Sequence, residues 1–111
     1  MTPNDILTDI RSAISDESSV RWTDATLRIY MFDGETAIVN VHPEAQYGTR
    51  VVNSTPALLS ANTASFTVSD SYRSAMIHYV AFRVFGEDSE DAANAALSKH
   101  HFQLFQASMG G

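Results

Sequence analysis

Residues 24–42 form the segment that most constrains the fold, because a helix there would carry more apolar side chains than one stripe needs. Thr23 is a suitable N-cap, Trp22 precedes it at the position of a hydrophobic staple, and Pro43 stops the helix. A helix that is apolar on nearly every side is either central to its domain or covered by another subunit. One face comprises Leu27, Tyr30, Met31, Gly34, Ile38 and Val41, whereas Ile29, Phe32, Ala37 and Val39 spread over the other faces.

Three further segments have the three-and-four spacing of apolar residues that is typical of helices. The sequence therefore predicts a mainly α fold, in which one domain of residues 1–111 forms a four-helix bundle. The predicted helices are residues 3–15, 24–42, 70–85 and 89–108. We expect Gly86 to end the third helix in the left-handed conformation that glycine adopts easily. In the fourth helix one apolar stripe comprises Ala92, Ala93, Ala96, Leu97, His100, Leu104 and Ala107, with Phe102 and Phe105 offset toward a second face.

A short β-hairpin arm is predicted between the second and third helices, at about residues 47–68. Its two β-prone runs, YGTRVV and TASFTV, flank a stretch of turn-forming residues. Two strands of this length are marginally stable alone, so we expect the arm to contact neighbouring molecules. The predicted subunit or partner interface comprises Tyr47, Arg50, Val51 and Phe66 of the arm, together with Phe105 and Met109 of the last helix.

Other residues are predicted to have structural roles. Gly34 is unfavourable in a helix interior by about 1 kcal/mol relative to alanine, which suggests that another backbone approaches it closely. Arg83 shares a helix stripe with Tyr79, where an unpaired charge would be costly. We therefore expect Arg83 to bond an acid or helix carbonyls near the following turn. The structural set comprises Trp22, Thr23, Gly34, Arg83 and Asp88.

The charge distribution argues against binding to DNA. Thirteen acidic residues and seven basic ones give a net charge of −6, and the basic residues are scattered along the chain. Binding to DNA phosphates requires a clustered basic patch. The absence of cysteine excludes disulfides and thiolate metal sites. With no secretory signal and no long apolar run, we expect a soluble, unexported protein.

No motif points to catalysis. His78, His100 and His101 could form a metal site with nearby acids, as in a small metal-assisted hydrolase. However, adjacent histidines point about 100° apart on a helix, and no His-x-x-x-His pair is present. Nucleophile-elbow and phosphate-binding glycine motifs are absent as well. We therefore expect no enzymatic activity, no cofactor and no metal.

The order of several short motifs resembles that of small tailed-phage and prophage head-to-tail adaptor (connector) proteins. The motifs are Arg-Trp-Thr-Asp at residues 21–24, Asp-Gly at 33–34, Pro-Glu-Ala at 43–45, and an acidic turn with an Ala-rich segment at 87–95. They are distributed over both ends of the chain. The middle of this chain is shorter than the β-rich insertion of longer members.

The resemblance implies a structural virion protein that forms a ring under the portal and joins the phage head to the tail. It implies a homo-oligomer of about twelve copies, with the portal protein on one side and a tail or nozzle protein on the other. DNA would pass through the ring transiently and without specific binding, and no membrane is involved. The location would be the head-tail neck of the virion, after assembly in the host cytoplasm. An alternative from another class is a cytoplasmic helical interaction or regulatory module that self-associates.

Overall fold

Four α-helices form the fold, as a computed structural model of the chain describes it for residues 2–14, 22–42, 66, 68, 70–87 and 92–109. The mainly α prediction is therefore confirmed. A single 3-10 turn precedes the third helix, and no helix in the described part is long and apolar enough to cross a membrane. The helices are α1 (Pro3–Ile14), α2 (Asp24–Val41), α3 (Arg73–Glu87) and α4 (Ala92–Ser108), and the turn is Asp70–Tyr72.

Hydrogen bonds cap the starts of the first two helices. At α1, the backbone amide of Thr2 donates to the Asp5 carboxylate at 2.8 Å, and this bond lowers the pKa of Asp5. At α2, the Thr23 hydroxyl accepts from the amide of Thr26 at 3.2 Å. The buried Arg11 side chain connects the two helices, because it donates to the Trp22 carbonyl at 2.9 Å and also bonds Asp24.

The core lies around α3, which packs against α1, α2 and α4. The predicted inner face of α2 is buried with one exception, because Val41 at the end of the helix is exposed. α1 contributes an aliphatic stripe to the same core. The buried apolar residues are Ile6, Leu7, Ile10, Ile14, Leu27, Tyr30, Met31, Ile38, Phe66, Val68, Ala75, Met76, Val80, Ala81, Val84 and Phe105.

The predicted β-hairpin arm is wrong, since the described residues contain helices and a 3-10 turn but no strand. Only Phe66 and Val68 of the arm are described, and both side chains are buried in the helical core. Their β-prone sequence therefore reflects apolar residues that the core requires, because β-propensity depends strongly on the surroundings of a segment. Tyr47, Arg50 and Val51 lie outside the described residues.

Two glycines lie where helices approach one another. A Cβ atom on Gly34 would lie 2.9 Å from Cδ1 of Tyr79, so α2 and α3 touch at this point through the Tyr79 side chain and not through the backbone that was expected. The prediction that Gly86 ends α3 in a left-handed conformation is wrong, because the helix continues through it to Glu87. A Cβ atom on Gly86 would lie 3.3 Å from Oγ of Ser98, and the Ser98 hydroxyl donates to the Phe82 carbonyl at 2.9 Å. Gly86 therefore allows α4 to approach α3.

Arg83 bonds an acid, as expected, and the described partner is Asp33 of α2. Its guanidinium donates to the Asp33 carboxylate of α2 at 2.7 Å and to the Tyr79 hydroxyl at 3.3 Å. Its Cζ atom also lies 4.9 Å from the centre of the Tyr30 ring. Arg83 therefore faces α2, and Asp88 of the turn after α3 lies outside the described residues.

We expect Arg83→Met to lower the free energy of unfolding by about 1–2 kcal/mol, because Asp33 would lose a partly buried partner. The side chains of this pair are 30% and 35% exposed, so solvent screens the interaction in part. Arg73→Met is the matched control, since the Arg73–Asp9 pair is more exposed and should contribute little. Urea unfolding of both variants measures the difference. Equal losses for the two variants would contradict this account.

Candidate functional site

α4 is the least buried helix relative to its apolar content. Among the described side chains of residues 93–109, only Ser98 and Phe105 are buried. On the side of α4 that contacts α3, aromatic rings of α4 pack against aromatic rings of α3. Phe102 lies 4.8 Å from Phe82 between ring centroids, and Phe105 lies 5.1 Å from Tyr79. α4 therefore uses its second, aromatic face to pack against the domain.

The main apolar stripe of α4 points away from this contact. At about 100° per residue, its members lie together on a different side of the helix from Ser98 and Phe105. Leu97 is 39% exposed, and Leu104 is half-buried. We call this surface the α4 stripe; it comprises Ala93, Ala96, Leu97, His100, Leu104 and Ala107, and all of these except Leu104 are exposed. A helix stripe of this width normally packs against another element.

A second apolar surface lies on the outer side of α2. Ile29 is 47% exposed there, and the ring of Phe32 beside it is half-buried. Ala25 and Thr36 lie on the same side of the helix, within reach of these residues by the three-and-four spacing. The surplus of apolar residues on α2 therefore remains partly open to solvent in the isolated chain.

A pair of histidines connects α3 and α4. The Nδ1 atoms of His78 and His101 are 3.1 Å apart, and the Phe85 ring stacks on His101 with 5.7 Å between centroids. Burial, with a smaller contribution from His100, lowers the pKa of His78. Burial also lowers the pKa of His101, and the neighbouring His78 and His100 lower it further by smaller amounts. Both shifts favour the neutral form of the imidazole.

The chain matches no protein-family model. Nor does any curated protein or solved structure match it significantly.

Two residues predicted to form an interface belong to the core instead. Phe66 is 2% exposed and Phe105 is 3% exposed, so neither contributes to the surface of the isolated chain. Met109 is half-buried against the core. Phe105 lies off the main stripe of α4, and the structure buries that offset face.

The sequence analysis names His78, His100 and His101 as candidate metal ligands, but it tests only ligand spacing within one helix and does not anticipate the contact between His78 and His101. His78 and His101 are 23 positions apart and meet only because α3 and α4 are antiparallel neighbours. A helical hairpin with one histidine on each helix is the signal that could have revealed them. Across the part of the chain that the structure describes, no group of three or more His, Asp or Glu side chains could hold one metal ion together.

Proposed function

We propose that this protein is a structural subunit of a ring that lies under the portal of a tailed phage and joins the head to the tail. The observation that supports the proposal is the α4 stripe, an apolar helix surface that the chain itself leaves exposed. Burial of such a surface by another subunit is a common source of stability in oligomers. The resemblance of the sequence motifs to those of adaptor proteins supports a ring between the phage head and tail as the assembly.

A ring requires two different surfaces on each subunit, because a head-to-tail contact joins unlike patches. The α4 stripe and the outer side of α2 around Ile29 provide two such surfaces on separate helices. In the proposed ring, the α4 stripe of one copy packs on the outer side of α2 of the next copy. A contact of one surface with itself would instead give a closed dimer.

The partners of the proposed ring are the portal protein on one side and a tail or nozzle protein on the other. About twelve copies would match the symmetry of a portal ring. The net charge of −6 suits a channel wall that DNA passes without sticking, because like charges repel. The ring would form in the host cytoplasm and remain in the neck of the virion.

We expect isolated subunits to show no measurable binding to duplex DNA at physiological salt. Phosphate binding depends on clustered lysine and arginine residues, and the seven basic residues of this chain are scattered. A gel-shift titration with a duplex of random sequence measures this. A micromolar, salt-sensitive dissociation constant would contradict the passive channel and favour a DNA-binding regulator.

The function is tested by deleting the gene from the phage or prophage that encodes it. The proposal predicts that filled heads and complete tails accumulate without joining, and that the parent gene supplied in trans restores infectious particles. Mass spectrometry of purified virions should detect the protein at a fixed ratio to the portal. Normal virions from the deletion strain would overturn the proposal and favour the cytoplasmic interaction module.

A further inference from the structure

The contact between His78 and His101 is positioned by the packing of two helices. His101 lies on the side of α4 that also carries Ser98 and Phe105, the two side chains that bury α4 against α3. His78 lies on α3, and the stacked Phe85 ring restricts the orientation of His101. The two Nδ1 atoms therefore face each other at 3.1 Å as a consequence of the fold.

This distance is suited to a shared metal ion. Bonds of about 2.0–2.1 Å from a transition metal to two imidazole nitrogens place those nitrogens roughly 2.9–3.4 Å apart, for angles between a right angle and the tetrahedral value. The Nδ1 distance of 3.1 Å lies within this range. Metal binding also requires that both Nδ1 atoms be unprotonated.

We infer that His78 and His101 together bind one divalent transition-metal ion through their Nδ1 atoms. The ion takes the place of the proton that the two nitrogens otherwise share, and that proton moves to Nε2 of the same ring, so neither imidazole changes charge. Imidazole nitrogen favours Cu²⁺, Ni²⁺ and Zn²⁺ over Mg²⁺ and Ca²⁺, which prefer oxygen ligands.

Solvent completes the coordination, because the described residues provide no third ligand beside the pair. Two protein ligands hold an ion less tightly than the four of a structural zinc site. The Irving–Williams order places Cu²⁺ above Ni²⁺ in affinity, and Cu²⁺ above Zn²⁺. A bound ion connects α3 to α4 and therefore stabilises the helix hairpin. This inference does not depend on the proposed function.

The test is calorimetric titration of the full, untagged chain with CuCl₂, NiCl₂, ZnCl₂ and MgCl₂. We expect one Cu²⁺ per chain, weaker binding of Ni²⁺ and Zn²⁺, and no binding of Mg²⁺. His78→Gln and His101→Gln should each weaken Cu²⁺ binding at least tenfold. His100→Gln is the matched control, because His100 is exposed on α4 beside the pair. The Cu²⁺ affinity of this variant should stay within threefold of that of the parent chain.

A spectroscopic measurement on the unmodified sequence makes the result independent of the variants' folding. The electron paramagnetic resonance spectrum of the chain with one equivalent of Cu²⁺ should contain couplings from two imidazole nitrogens. Couplings from a single nitrogen would overturn the inference. So would Cu²⁺ binding that survives His78→Gln or His101→Gln unchanged, or that His100→Gln weakens as much as either of them.

Discussion

Phe105→Ala is expected to lower the free energy of unfolding by about 3–4 kcal/mol, which is the usual cost of removing a buried phenylalanine ring. Phe105 is 3% exposed, and its ring packs edge-to-face against Tyr79 at 5.1 Å between centroids. The substitution would leave a cavity where α4 is held against α3. Urea unfolding followed by circular dichroism measures the loss.

Phe102→Ala is the matched control, because it removes the same ring from the same helix one turn earlier. Phe102 is 37% exposed, so its removal leaves less of a cavity and should cost roughly 1 kcal/mol. A similar loss of stability for the two variants would contradict the deeper burial of Phe105.

Leu97→Asp is expected to weaken self-association at least tenfold while leaving the monomer folded. Leu97 is a large side chain of the α4 stripe and is exposed in the isolated chain, so the fold loses little packing. In an assembled ring the new carboxylate would be buried without a partner, which is costly. Sedimentation velocity over a range of protein concentrations measures the change in the association constant.

Gln106→Asp provides the control for added charge. Gln106 is exposed on the opposite side of α4 from Leu97. The substitution therefore introduces the same carboxylate away from the α4 stripe. We expect its self-association to remain close to that of the parent chain. If Leu97→Asp associates as well as Gln106→Asp, then the α4 stripe is not a subunit contact.

The helices were predictable because local signals determine them. The Thr23 cap and the apolar spacing on α2 depend only on nearby residues, and the structure reproduces both. The β-prone run before α3 was misjudged because Phe66 and Val68 are held by tertiary packing that no local rule describes. Gly86 was misjudged for a similar reason, since its role is to let Ser98 approach α3.

Which face of a helix packs inward was harder to predict than the helix itself. The stripe of α4 with the clearest apolar periodicity is exposed, and the offset face with Phe105 is buried. Periodicity identifies an apolar face but does not identify the element that covers it. The same limitation hid the Arg83–Asp33 pair and the His78–His101 pair, which join residues 50 and 23 positions apart.

Native mass spectrometry of the purified portal protein mixed with an excess of this chain tests the ring proposal most directly. Because the subunit mass is 12.2 kDa, the number of bound copies can be counted from the mass that the portal gains. The proposal predicts a single complex in which the portal ring carries a full ring of about twelve copies, and no such complex with Leu97→Asp. A portal mass that does not change, while the chain alone forms a closed dimer, would contradict it.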